Sequence, residues 1–297
     1  SFEHDEHYLA WIGKYAEQWR RILKPNGSLF CFCDSSMASR LDVLLSSRFN
    51  MLSHIVWTKP NEPGYDGWKG KMKKEALRQW YPLSERILFA EPAIEGNIFR
   101  SPFGKFLMDA RKQAGMSMKE LTGVIGAHGA VNHGGAVSNW EAGRNTPSRD
   151  QYEKMREALI GTGKVKSMPD YEDAIRVFTI DASKQFTDVW TFQSVKQRQG
   201  KHPAEKPLDL LEHAIAATTF AGDIVLDCFA GSGNTALAAI RLGRRAVAIE
   251  IEHRWVSKIV GGVQRHFAES LQPSINGNGH ASALRRIDPQ LQLFGGG

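Results

Sequence analysis

The densest group of chemistry-bearing residues lies between Ile224 and Glu250. Ile224-Val225-Leu226-Asp227 has the make-up of a short buried strand, and Phe229-Ala230-Gly231-Ser232-Gly233-Asn234-Thr235 breaks it at once. Ala236, Leu237, Ile240 and Leu242 then recur at helical spacing until Gly243, and Ala246-Val247-Ala248-Ile249 forms a second strand ending in Glu250. The spacing predicts one βαβ unit with a glycine-rich first turn and an acid 23 residues after Asp227. In such units the acid closing the second strand receives ribose hydroxyls, and the glycines let the backbone approach a ligand that a Cβ would obstruct.

Three ligand classes compete for this turn. A P-loop needs a lysine where Asn234 stands and a first glycine where Cys228 stands, so that reading fails. A dinucleotide site is met by Gly231 and Gly233, with Ala236 only the permitted substitute at the third place, so it survives as the weaker alternative. S-adenosylmethionine fits best. It carries no phosphate, needs no cation at the helix start, and asks only for a bare turn with an acid for its ribose.

The elements that must position this unit read as follows. Leu9, Ile12, Ala16, Trp19 and Leu23 predict a first helix, ended by Lys24-Pro25-Asn26-Gly27. Ser28 to Cys33 reads as a fully buried strand, Met37 to Ser47 as an amphipathic helix, and His54 to Trp57 and Arg86 to Ala90 as further strands. Between the last two lies Lys59 to Tyr81, where Lys69, Lys71, Lys73, Lys74 and Arg78 interleave with Trp68 and Trp80. Phosphate contact with stacking would let it hold a nucleic-acid strand, and a solvated loop anchored by two tryptophans is the alternative.

Residues 101–163 have the texture of a small helical module. Phe103, Phe106, Leu107 and Ala110 form one stripe closed by Gly115, and Ser117 to Glu120 fits a capping box ahead of Leu121 and Ile125. Ala136 to Glu141, Gly143 to Pro147 and a helix from Ser148 with Tyr152, Met155 and Leu159 follow. This order resembles the repressor-like helix-turn-helix family, through Arg111-Lys112, Gly115-Met116-Ser117 to Leu121, and Ser138 to Pro147. The resemblance implies that the helix around Ala136 to Trp140 enters a major groove, with Asn132, His133, Ser138 and Asn139 reading bases and Arg144 on phosphate. The turn from Ala127 to Gly135 is longer and richer in glycine than the pattern, and a bundle without DNA contact is the alternative. His128 and His133 have no cysteine or carboxylate nearby and read as loop residues, so no metal is expected.

Wider wording carries a second resemblance. Asp188-Val189-Trp190, His202-Pro203-Ala204-Glu205-Lys206-Pro207, Asp227 to Thr235 and Glu250 resemble the amino-methylating DNA methyltransferases, which act on adenine N6 or cytosine N4. A methyltransferase acting on RNA or a small molecule is the alternative for this block. The resemblance implies that Lys206, Pro207, Asp227, Phe229, Gly231, Ser232, Gly233, Asn234 and Thr235 enclose the methionine end of S-adenosylmethionine, with Glu250 on its ribose. With the cofactor motifs C-terminal, the order resembles the permuted arrangement, in which the recognition region sits between the catalytic and cofactor motifs. Phosphate and groove contacts would place the enzyme, and the target base would flip into the site. The family's catalytic tetrapeptide carries two adjacent prolines, and none of the twelve prolines here is next to another. Its expected place is just upstream of Ser1. The rival is a DNA-binding transcriptional regulator built on a catalytically dead methyltransferase.

The expected architecture is thus an α/β, Rossmann-like methyltransferase sheet with an inserted all-α helix-turn-helix domain. Residues 1–100 form a catalytic half, 101–163 the insert, 164–268 a linker and cofactor half, and 269–297 a flexible tail. Double-stranded DNA is the expected partner, adenine the preferred base, and the family implies a homodimer. The net charge of +6 leans only mildly towards a polyanion. No apolar run reaches the roughly 20 residues of a membrane span, and Cys31, Cys33 and Cys228 lack disulfide or zinc spacing, so a reducing cytoplasm is expected.

Overall fold

The computed structural model describes residues 2–60, 78–80, 82–94, 101–127, 135–181, 184–196, 201–270 and 291–295. It is a mixed α/β protein of two compact units, residues 1–57 with 84–177 and residues 58–83 with 178–297. None of the described helices is long and apolar enough to cross a membrane.

The first unit opens with α1 (Phe2–Ile22), β1 (Leu29–Cys33), α2 (Ala38–Ser46), β2 (Phe49–Thr58) and β3 (Ser84–Pro92). β3 lies between β1 and β2 and runs antiparallel to β1, with Cys31 opposite Leu88 and Cys33 opposite Arg86. Ile12 and Ala16 of α1, Leu41 and Leu45 of α2, and Cys31, Cys33, Phe49, Leu88 and Ala90 of the strands share one core. This corrects the reading of Ser28 to Cys33 as fully buried. The two helices cover the cysteine face, while Phe30 and Phe32 are half-buried, and Phe30 stacks on Phe89 at 4.6 Å. Burial, with the neighbouring Cys33 thiol adding to it, pushes the Cys31 thiol up to about 12. β2 also begins earlier than the expected His54, at Phe49.

Four helices then close around their own core. They are α3 (Pro102–Ala114), α4 (Met118–Ile125), α5 (Gly135–Glu141) and α6 (Arg149–Gly161), followed by the short α7 (Tyr171–Ala174). The Ser117–Glu120 capping box is present on α4, and Ser148 with Gln151 makes another on α6. Phe103, Leu107, Leu121, Val137, Trp140, Tyr152, Met155 and Leu159 fill the interior. A buried ion pair crosses it, Arg111 donating from Nε to Glu141 Oε1 at 2.5 Å and from Nη2 to Oε2 at 3.0 Å. Arg111 also donates to the Met116 carbonyl at 2.7 Å, which ties the α3–α4 turn to α5. The same core continues into Val165, Met168 and Ile175, so chain expected to be a returning linker packs with the helices.

The second unit holds β4 (Val189–Thr191), α8 (Leu208–Thr218), β5 (Ile224–Asp227), α9 (Asn234–Arg241), β6 (Arg245–Glu250), α10 (His253–Ser270) and β7 (Leu291–Gly295). β5, β6 and β7 lie in that order, all parallel, with Asp227 opposite Ala248 and Glu250 opposite Gly295. The end of the expected tail is therefore a strand, because its backbone completes the free edge of β6. β5 is not the buried strand its composition suggests, since Ile224 is 54% exposed and Leu226 37%. Ala246, Ala248 and Glu250 of β6 are buried on the opposite face. In this parallel sheet the alternation arises because α9 packs on one side.

Candidate functional site

The second unit builds its site at the C-terminal ends of β5 and β6, where ligands of open α/β sheets bind. Asp227 ends β5 and accepts the Phe229 amide at Oδ1 (3.0 Å), which starts the turn. The Ala230 amide donates to the Ile249 carbonyl at 3.0 Å, and the Gly233 amide donates to the Ala230 carbonyl at 2.7 Å. Gly231 and Gly233 take left-handed φ values of +49° and +83°, and Gly233 caps α9. The sequence pattern assigns this freedom to ligand approach. The structure adds a packing reason. A Cβ at Gly231 would meet the His202 ring at 2.9 Å, and one at Gly233 would meet Ile259 at 2.6 Å.

Glu250 is the keystone of the arrangement. It is buried, its Oε2 accepts the Gly231 amide at 2.7 Å and its Oε1 accepts the Glu252 amide at 2.9 Å. Each carboxylate oxygen has a second lone pair, so the group can still accept a pair of hydroxyls. The other predicted segment is brought in by Asn234. Its Nδ2 donates to the Lys206 carbonyl at 2.8 Å and to Glu205 Oε1 at 3.4 Å, lashing the approach to α8 against the start of α9. Pro207 sits buried at the N-cap of α8. Ser232 and Thr235 are half-buried on the turn, and Phe229 is exposed beside it. All ten predicted cofactor residues thus lie on or directly beside one turn.

Two neighbours stand outside the predicted cofactor set. His202 packs edge-on to Trp255 with ring centroids 4.7 Å apart, and its Nδ1 accepts the Ala204 amide at 3.2 Å. Ile259 of α10 fills the space that Gly233 leaves. The His-Pro dipeptide is a visible signal for the first, but nothing in the sequence near Ile259 points to the second.

The donor set suits S-adenosylmethionine. Asp227, Glu250 and Glu205 put carboxylates around the turn, and Lys206 is the single basic residue among the predicted set. A pyrophosphate dianion would meet like charges here, whereas a sulfonium with an ammonium group would meet opposite ones. Glu250 would hold the ribose hydroxyls, and the amides of the glycine turn, with Lys206 and Pro207 beside them, would face the methionine end.

On the helical module, Ser138 Oγ donates to the Gly135 carbonyl at 3.1 Å. Arg144 Nη1 donates to Asn139 Oδ1 at 3.1 Å, so the expected base reader and phosphate contact are held together. Ser138 and Asn139 are half-buried and Arg144 is exposed. Asn132, His133, Lys69, Lys71, Lys73 and Lys74 lie outside the described residues.

Comparison with known proteins follows the same line. Residues 1–260 match the family model for DNA methylase of the N6/N4 type. Type II methyltransferase M2.DpnII of Streptococcus pneumoniae is 45% identical over 80 residues, 26% of this chain and 30% of that protein. The DNA adenine methyltransferase YhdJ of Escherichia coli (strain K12) is 35% identical over 114 residues, 35% of this chain and 39% of that protein. The solved PvuII DNA methyltransferase (cytosine-N4-specific) aligns at TM-score 0.49 and 15% identity, covering 86% of this chain and 70% of that one. The matches to M2.DpnII and two further Type II relatives span only 28% to 36% of those proteins' own lengths. With the family model covering residues 1–260, the chain belongs to the N6/N4 DNA methylase family, the S-adenosylmethionine-dependent methyltransferases of adenine N6 or cytosine N4 in DNA.

Proposed function

We propose that this chain is part of a site-specific DNA methyltransferase that moves a methyl group from S-adenosylmethionine to an exocyclic amine of a flipped base, adenine N6 in preference to cytosine N4. The observation that carries the cofactor half is Glu250, buried and fixed by two backbone amides against a glycine turn whose helix starts with Asn234. The cofactor supplies the electrophilic methyl. The chain's own residues orient it. Glu250 fixes the ribose, Asn234 keeps Lys206-Pro207 against the turn, and His202 and Ile259 back the two glycines.

The four helices α3 to α6 are the proposed reader of double-stranded DNA, with Ser138, Asn139 and Arg144 on the presenting surface and Asn132 and His133 as further candidates. Lys69, Lys71, Lys73 and Lys74 are proposed phosphate contacts. The repressor-like wording supports this, as does the buried Arg111–Glu141 pair that fixes α5 on α3. The adenine preference is supported by the relative whose name states adenine. A homodimer and a cytoplasmic setting complete the reading.

The alternative reading is a DNA-binding regulator that keeps the cofactor fold. The deciding experiment incubates the intact protein that carries this chain with methyl-labelled S-adenosylmethionine and unmethylated duplex DNA, then digests the DNA to nucleosides. Label on N6-methyladenine is expected. Label on N4-methylcytosine would keep the enzyme and reverse the base, and cofactor binding without label would favour the regulator.

A further inference from the structure

The stretch from Pro169 to Arg176, expected from sequence to be a linker, is held on both sides within the first unit. Towards α6, Tyr152 Oη donates to the Pro169 carbonyl at 2.7 Å, and Tyr171 Oη donates to the Pro147 carbonyl at 3.2 Å. Arg156 pairs with Asp170 at 3.2 Å. Arg149 pairs with Glu172, and its guanidinium lies 4.8 Å over the Tyr171 ring. Towards the sheet, Asn26 Nδ2 donates to the carbonyls of Glu172 (2.6 Å) and Ile175 (3.3 Å). Arg176 Nε donates to Glu91 Oε2 at 2.7 Å, and the second oxygen of this buried carboxylate accepts Asn50 Nδ2 at 2.8 Å. The Arg176 guanidinium also sits 5.5 Å over Phe89 of β3.

A mobile tether needs none of this. A carboxylate left 4% exposed inside a sheet is costly unless paired, and Glu91 takes one donor from β2 and one from the strap. Asn26 uses one amide group to close two backbone carbonyls of the strap. The strap also gives Met168 and Ile175 to the core of the four helices. The helices and the sheet β1–β3–β2 are therefore joined at this end by a braced segment whose contacts fix an orientation.

We propose that Asn26, Glu91 and Arg176 are positioning residues for target selection: they hold the helical module at a set orientation to the sheet, so that one DNA register is presented. The proposal rests on the reading of α3 to α6 as the DNA reader. None of the three residues needs to touch DNA. Loosening the strap leaves the module folded and its phosphate contacts available, but lets its orientation wander, so selectivity falls while general duplex affinity stays.

The test is selection from a randomised duplex library by the full chain, with affinity for the unselected random duplex measured alongside. The native chain is expected to enrich a motif, and Arg144→Ala to weaken duplex binding. If the native chain binds no duplex or enriches nothing, the reader reading fails and the positioning proposal with it. With that reading standing, Arg176→Ala is expected to reduce motif preference by about tenfold, on the scale of one lost base contact, with random-duplex affinity within about twofold of native. Arg176→Lys, which keeps a charged donor for Glu91, is expected to restore part of the preference, an effect general loss of structure would not give. Should Arg176→Ala fail to fold, Asn26→Ala reaches the strap from its other attachment and is read the same way. Unchanged motif preference in the folded variant would overturn the positioning role while leaving the reader in place.

Discussion

Two left-handed glycines allow the packing role of the cofactor turn to be separated from its backbone role. Gly243 has φ +74° with open space where a methyl would stand, whereas at Gly233, φ +83°, the methyl would meet Ile259 Cγ1 at 2.6 Å and its Cβ and Cγ2 at 3.1 Å. Gly243→Ala therefore carries only left-handed strain, about 1–2 kcal/mol. Gly233→Ala carries that plus overpacking of a buried branched side chain, about 1–3 kcal/mol more. Thermal unfolding should place the two variants about 2–12 °C apart, at roughly 2–4 °C per kcal/mol for a large domain. A double-mutant cycle isolates the contact. Ile259→Ala alone leaves a cavity and costs about 2–5 kcal/mol, but paired with Gly233→Ala the new methyl sits in that cavity. The pair should then be less destabilised than the sum of the singles by at least about 1 kcal/mol. Additivity within about 0.5 kcal/mol would refute the contact between the glycine turn and α10. Cofactor titration of the same proteins should weaken for Gly233→Ala and stay native for Gly243→Ala.

Other outcomes follow from the same geometry. Glu141→Gln leaves buried Arg111 without its charge partner and should cost about 3–5 kcal/mol, seen as selective melting of the four helices by hydrogen exchange, with cofactor binding kept. Asn234→Ala removes the bond to the Lys206 carbonyl and should weaken S-adenosylmethionine about 5–30-fold, at roughly 1–2 kcal/mol for the bond and the orphaned carbonyl; an unchanged Kd would show that Lys206-Pro207 needs no lashing. Burial raises the Cys31 thiol from 9.0 to about 12 and the Tyr152 phenol from 10.0 to about 12. Both are neutral when folded and ionise in the unfolded chain at the lower values. Their contribution is thus complete below pH 9 and is lost as pH rises towards 12, with a slope of up to about 1.4 kcal/mol per pH unit for each group. Denaturant titrations across that window should show the loss, and Cys31→Ala should flatten its lower part. Burial, with Lys184 nearby, lowers the His213 pKa beside Trp190, so a further contribution should be present above pH 6.5 and fade as pH falls below it.

The cofactor unit is the most legible part of the chain, since strand, glycine turn, helix and closing acid are all local in sequence. Glu250 follows from periodicity and position alone, and its two amide bonds are what such a position provides. What local pattern cannot give is the far side of a contact. Ile259 and His202 stand behind Gly233 and Gly231 only once α10 and the approach to α8 fold back. Burial escapes local pattern for the same reason. Ile224 and Leu226 have the composition of a buried strand, but α9 lies on the other face of the sheet, and Phe30 and Phe32 alternate with the two cysteines that α1 and α2 cover. The caps on α4 and α6 are readable because a capping box is a four-residue device. The strap is not, because Asn26, Glu91 and Arg176 act together across up to 150 residues of chain.

Calorimetric titration of the intact protein with S-adenosylmethionine, alongside Glu250→Gln, tests the central claim most directly. Saturable one-site binding is expected in the native protein, weakened roughly 10–100-fold in the variant, which keeps an acceptor oxygen but loses the charge that strengthens bonds to ribose hydroxyls. NAD should not compete. Native-like binding by Glu250→Gln, or displacement of the cofactor by NAD, would contradict the assignment of this turn to S-adenosylmethionine.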